Sequence, residues 1–104
     1  MVVKLIAKVY AKEGISKKEF NDYWLNKHAP LVKKMEGLRK YVISVVLTSD
    51  GEEPGYQGMA ELWFDTFEEL KRAFDSPEGK EAVADVKNFA RKVTTVTIEE
   101  HLIV

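Results

Sequence analysis

His28 stands where a chemically useful side chain would be placed. Phe20, Trp24, His28, Leu31 and Met35 recur at i, i+4, i+8, i+11 and i+15, which on an α-helix keeps them within roughly 80° of one another. The stripe is apolar apart from the histidine, so an ionisable ring is expected on the buried face. Two residues later, Pro30 cannot bond the carbonyl of Asn26 and biases Ala29 away from helical geometry. The helix is therefore expected to kink or pause at the histidine. A neutral imidazole in an apolar pocket can take a proton α to a carbonyl, or relay one during ring closure. A core histidine bonded to a backbone carbonyl, such as the one freed by Pro30, satisfies the same pattern, and both readings stay open here.

Glu61 is the second candidate. A carboxylate beside Leu62, Trp63 and Phe64 is costly to bury unless it is paired. It can orient His28 or serve as an acid, or it can sit in a salt bridge or at an edge. Strand parity decides between these: Glu61 shares a face with Met59 and Trp63, and Ala60, Leu62 and Phe64 share the other. Only one set can face the helices. Trp24, Tyr41 and Trp63 are candidate pocket walls, and Tyr41 can donate a hydrogen bond to a substrate oxygen. Arg39 is a candidate for an acidic group on a substrate, or a solvated charge at a strand end. Glu99, Glu100 and His101 invite a metal reading, but adjacent strand residues point to opposite faces. The chain has no cysteine and no His-Glu-x-x-His pattern. Neither a metal nor a tightly bound cofactor is expected.

The elements that must position these residues follow from the pattern. Val2 to Tyr10 alternates like a strand and ends before Gly14. Ser16 and Glu19 form a capping box, with Ile15 and Phe20 as a hydrophobic staple, and this starts the helix. Gly37 suits a left-handed residue just past a helix end. Tyr41 to Leu47 and Met59 to Phe64 read as strands. They are joined by a long connection over residues 48–58 that suits a lid, a dimer arm or slack. Thr66 and Glu69 make a second capping box, followed by a short helix bearing Phe67, Leu70 and Phe74. Ser76 and Pro77 start another helix, whose inner stripe is Val83, Val86, Phe89, Ala90 and Val93. Thr94 to Val104 reads as the last strand.

The order β-α-β-β-α-β is the ferredoxin-like α+β plan, with an antiparallel four-stranded sheet and helices on one face. Alternate positions on the first three strands are largely apolar on both faces. The face without helices then needs a cover, and a second copy of the chain supplies one. The expectation is a homodimer with sheets packed face to face.

Composition fits this frame. The chain has 104 residues, 45% hydrophobic and 32% charged, with a net charge of −1, which suits one domain spanning residues 1–104. The balance gives no electrostatic reason to expect nucleic acid or an anionic membrane. Lys4 and Lys8 interrupt the first apolar stretch, so neither a signal peptide nor a membrane span is read there. Cytoplasm is the expected compartment.

The sequence resembles the EthD family of the dimeric α+β barrel superfamily. The resemblance lies in Phe20-Asn21-Asp22-Tyr23-Trp24 with His28-Ala29-Pro30-Leu31, in Gly37-Leu38-Arg39-Lys40-Tyr41, and in Ala60-Glu61-Leu62-Trp63-Phe64-Asp65. It continues through Ser76-Pro77-Glu78-Gly79 and Glu99-Glu100-His101. It implies a dimeric barrel with a pocket between helices and sheet in each subunit. Superfamily relatives include polyketide cyclases, muconolactone isomerases and cofactor-free monooxygenases, so the chemistry stays open among cyclisation, isomerisation, decarboxylation and oxygenation. The leading expectation is a cofactor-independent enzyme or accessory enzyme for an apolar, oxygenated small molecule. His28 is its acid/base and Glu61 its partner. The alternative is a non-catalytic homodimer that binds a hydrophobic molecule or serves a structural or stress role.

Overall fold

The computed structural model describes residues 2–48 and 55–104. Most of the 48–58 connection, residues 49–54, thus lies outside the described residues. Four strands, β1 (Val2–Ala11), β2 (Lys40–Val45), β3 (Gly58–Phe64) and β4 (Ala90–Glu100), form one sheet in the order β2-β3-β1-β4. Every neighbouring pair is antiparallel. With helices after β1 and after β3, this is the ferredoxin-like plan.

Register sorts the side chains into two faces. Leu5 pairs with Leu62 and Ala7 with Ala60, while Lys4 pairs with Trp63 and Ile6 with Glu61. The first set, with Val3, Val9 and Phe64, is buried or partly buried in the core beneath the helices. The second set lies on the opposite face.

The helical layer begins with α1 (Lys17–Tyr23), capped by Ser16 Oγ accepting from the Glu19 amide at 3.1 Å. A π-helical turn, Trp24–His28, and α2 (Ala29–Val32) continue it. Gly37 takes φ of 89°, the left-handed value that only glycine adopts without cost. Thr66 caps α3 (Phe67–Asp75) and Ser76 caps α4 (Pro77–Asp85), each through its hydroxyl oxygen. Among the described residues, no helix is long and apolar enough to cross a membrane.

Three expectations are corrected here. The α-helix does pause at the histidine, as a π-helical turn over Trp24–His28, but Ala29, expected to leave helical geometry, stays helical at φ −54° and ψ −40°, and its amide bonds the Trp24 carbonyl five residues back. Widening to i→i+5 bonding accommodates a residue that lacks an amide proton. Past the wide turn the stripe widens to take in Val32, while Met35 stays buried as expected. Val32 is buried while Leu31 is only partly so. The last helix ends at Asp85, a 3₁₀ turn covers Val86–Asn88, and the last strand starts at Ala90 rather than Thr94. Ala90 and Val93 thus leave the helical stripe and pair with Ala11 and Val9. A run of β-branched residues from Val93 to Ile98 favours the pleated sheet over a longer helix. That strand ends at Glu100, and Leu102, Ile103 and Val104 are exposed beyond it.

Candidate functional site

The π-turn sets His28 on the buried side of the helical layer, where its side chain is 9% exposed. Its ring lies 4.8 Å from the Phe89 ring. Phe89 is buried and also meets Phe20, Trp24 and Tyr23. One aromatic residue from the turn after α4 thus anchors the whole histidine-bearing helix. Gly58 on β3 leaves room for the indole of Trp24: a Cβ there would come within 2.6 Å of that ring.

His28 Nδ1 lies 2.9 Å from Asp85 Oδ2. The other carboxylate oxygen, Oδ1, accepts from the Tyr23 hydroxyl at 2.6 Å and from the Asn88 side-chain amide at 2.9 Å. Burial pushes the Asp85 carboxyl up, but the three hydrogen bonds from Tyr23, Asn88 and His28 together outweigh it. They hold the group below its ordinary value. Donation to Asp85 in turn pushes the Tyr23 phenol up. An ionised carboxylate can only accept, so Nδ1 of a neutral His28 carries the proton and Nε2 carries the lone pair. Nε2 has no hydrogen-bond partner among the described residues.

Beside this ring is a cavity of about 400 Å³ between helices and sheet. Its walls are apolar and aromatic, including Trp24, Leu62, Phe74 and Phe89. Trp24, His28, Tyr41 and Thr95 supply its polar side-chain groups, and among the described residues no lining residue carries a fixed charge. Burial pushes the Tyr41 phenol up to about 12, with the Trp24 indole pulling the other way. Tyr41 is therefore a neutral donor at ordinary pH.

Of the residues singled out in the sequence, His28, Trp24 and Tyr41 meet at this cavity. Glu61 and Trp63 do not. Parity turns both to the helix-free face, so Glu61 is not the partner of His28. Glu61 pairs with Lys4 Nζ at 2.9 Å, and Lys4 also reaches Glu100 at 3.0 Å. The Trp63 indole donates to Glu100 at 2.8 Å, with the Lys4 and Lys40 ammonium groups 4.9 and 4.7 Å from its ring centre. Hydrogen bonds to Glu61 and Glu100 push the Lys4 ammonium up, and bonds from Trp63 and Lys4 hold Glu100 down. Arg39 is exposed and pairs with Asp65 at 2.8 Å, outside the cavity. Glu99 and His101 meet each other at 2.6 Å, while Glu100 belongs to the Lys4 cluster.

Asp85, Tyr23 and Asn88 were missed. Carrying the last helix on to Val93 hid one signal: Asp85 is the last residue of α4, and a helix C-terminus disfavours negative charge. A carboxylate there needs donors from elsewhere.

Fold and site together define a ferredoxin-like α+β protein with an apolar pocket that ends on a histidine–aspartate pair. Residues 12–92 match the EthD domain. An uncharacterized 11.0 kDa protein in the thcB-thcC intergenic region of Rhodococcus erythropolis is 37% identical over 71 residues, 68% of this chain and 69% of that protein. The crystal structure of an ethyl tert-butyl ether d (EthD) family protein from Bacillus halodurans superposes with a TM-score of 0.86 at 34% identity, covering 97% of this chain and all of that one. The chain belongs to the EthD family. Two more distant structures share the fold. One, a dimeric ferredoxin-like protein of unknown function from Bacteroides fragilis, has a TM-score of 0.73 at 18% identity over 95% of this chain and 96% of that one. The other is a mutant form of SnoaB, a cofactor-independent oxygenase from Streptomyces nogalater, with a TM-score of 0.72 at 10% identity over 99% of this chain and 96% of that one.

Proposed function

We propose that this EthD-family chain is a cofactor-independent enzyme, or accessory enzyme, that moves a proton on an apolar, oxygenated small molecule. The observation that carries this reading is the His28 Nδ1 to Asp85 Oδ2 bond of 2.9 Å, which leaves Nε2 for the cavity that the ring lines. His28 is the acid/base. Asp85 is its positioning partner, in the place first given to Glu61. A substrate C–H or O–H loses its proton to Nε2, the resulting imidazolium is balanced by the Asp85 carboxylate, and the proton returns to another substrate atom. Tyr41 donates to the oxygen on which negative charge develops. With no fixed charge among the described lining residues, the substrate is uncharged where it sits among Trp24, Phe74 and Phe89. Cyclisation, isomerisation and decarboxylation all run through such a step. The cofactor-independent oxygenase among the fold neighbours keeps oxygenation beside them.

The unit is a homodimer in this reading. Ile6, Val42, Met59, Trp63 and Ile98 lie on the helix-free face, a surface of the kind that needs a partner. A fold neighbour is described as dimeric. Lys4, Glu61 and Glu100 sit in that face already paired with one another, so a second sheet can cover them without stranding a charge.

The almost wholly apolar lining supports a second reading, a homodimer that binds a hydrophobic molecule without turnover. Native mass spectrometry of gently purified protein reads the assembly mass and any retained small molecule. Once a substrate is in hand, His28→Ala is expected to lose turnover by at least ~100-fold. Unchanged turnover in that variant removes the acid/base role of His28.

A further inference from the structure

Tyr23 and His28 stand five residues apart. On a regular α-helix that spacing turns two side chains about 140° away from each other. Here the backbone between them is π-helical, Trp24–His28, and an i→i+5 turn stacks such residues nearly one above the other. Both side chains accordingly reach one carboxylate, Tyr23 Oη at Oδ1 and His28 Nδ1 at Oδ2 of Asp85. Both rings also rest on Phe89, with Tyr23 stacked at 5.4 Å and 26°.

We infer that Tyr23 is a positioning residue of the site, brought to Asp85 by the π-turn. Its hydroxyl holds Oδ1 so that Oδ2 stays on His28 Nδ1 and the lone pair of Nε2 stays toward the cavity. This rests on the reading of His28 as acid/base. Two features set Tyr23 apart from Asn88, the other donor to Oδ1. Asn88 is exposed and lies three residues from Asp85, so it moves with the carboxylate it bonds. Tyr23 is built on the same turn as His28 and its ring is fixed by stacking, so it ties the carboxylate to the histidine's own helix. Among the described residues, Tyr23 and His28 are the titratable side chains bonded to Asp85.

The test needs no substrate. Tyr23→Phe keeps the stacked ring and removes only the hydroxyl. Long-range ¹H–¹⁵N spectra give the tautomer of neutral His28, and the ¹³C carboxyl resonance gives the titration of Asp85. In the native protein the Nδ1–H tautomer is expected to dominate. In Tyr23→Phe its excess over Nε2–H is expected to fall about tenfold, and the Asp85 midpoint is expected to rise, with a smaller change in Asn88→Ala. An unaltered tautomer ratio and midpoint in Tyr23→Phe overturn the inference. The unmodified protein supplies a second measurement: the Tyr23 Cζ resonance is expected to titrate above 10.0 and to fall back in Asp85→Asn. A native Tyr23 that titrates at its ordinary value overturns it as well. Neither readout depends on turnover. A failure here with His28→Ala inactive removes only the role of Tyr23, whereas a fully active His28→Ala removes the acid/base role of His28 while these spectra stay as predicted.

Discussion

Each side of the sheet holds a tryptophan, at least one carboxylate and a basic side chain, and the two sides use them differently. Beneath the helices, Trp24 and His28 are buried, and the Asp85 carboxylate has donors from Tyr23, His28 and Asn88. On the open face, Lys4, Glu61, Glu100 and Trp63 satisfy one another, amine to carboxylate and indole to carboxylate. Among the described residues, the inner group ends on a ring nitrogen without a partner next to a cavity, and the outer group ends on no cavity. A cluster that leaves one lone pair facing an apolar space can do acid/base work. A cluster in which one ammonium bridges two carboxylates and an indole donates to one of them holds shape.

The largest effect that sharpens this contrast is expected at Phe89. It is buried and meets Phe20, Tyr23, Trp24 and His28, so Phe89→Ala should cost about 3–5 kcal/mol in chemical denaturation. Next is Gly58→Ala. The new Cβ would meet the Trp24 ring and the Ser44 carbonyl oxygen, each at 2.6 Å. A loss of about 1–3 kcal/mol is expected, together with changed near-UV dichroism from Trp24.

Asp85→Asn tests the inner charge. The bonds from Tyr23, Asn88 and His28 overcome burial and hold the folded carboxyl below 3.8. Asp85 therefore contributes stability that is full above pH 3.8 and is lost as pH falls through the lower folded value. Urea midpoints should separate native protein from Asp85→Asn by about 1–3 kcal/mol at about pH 7. The gap should close below pH 3.8. A gap that stays constant down to about pH 3 contradicts the placement of the charge. The smallest effect belongs to the open face: Glu61→Gln is expected to cost under about 1 kcal/mol and to leave the His28 tautomer as it is.

Much of this frame was legible from local rules. The hydroxyl caps at Ser16, Thr66 and Ser76 were read from side-chain type and spacing, as was the left-handed Gly37. The burial of His28 followed from a period of about 3.6. What escaped depended on distant pairing or on a departure from that period. The carboxylate that holds His28 lies 57 residues along the chain, and no local pattern links the two. Glu61 could not be assigned a face because both faces of β3 are rich in apolar residues, so parity had nothing to act on until the helices were placed. The pause at His28 was read from Pro30 but its form was not: one extra residue in the turn keeps Ala29 helical. Val93 fitted the helical period by count, yet pairs with Val9 in the sheet.

The central claim is that proton transfer belongs to the covered face. It is tested most directly by hydrogen–deuterium exchange at the α-carbon of apolar ketones such as 2-tetralone and 1-indanone. The exchange is followed by NMR in D₂O with native protein, His28→Ala and Glu61→Gln side by side. The account predicts accelerated exchange with native protein and with Glu61→Gln, and exchange at the buffer rate with His28→Ala. Exchange that survives in His28→Ala, or that disappears in Glu61→Gln, would contradict it.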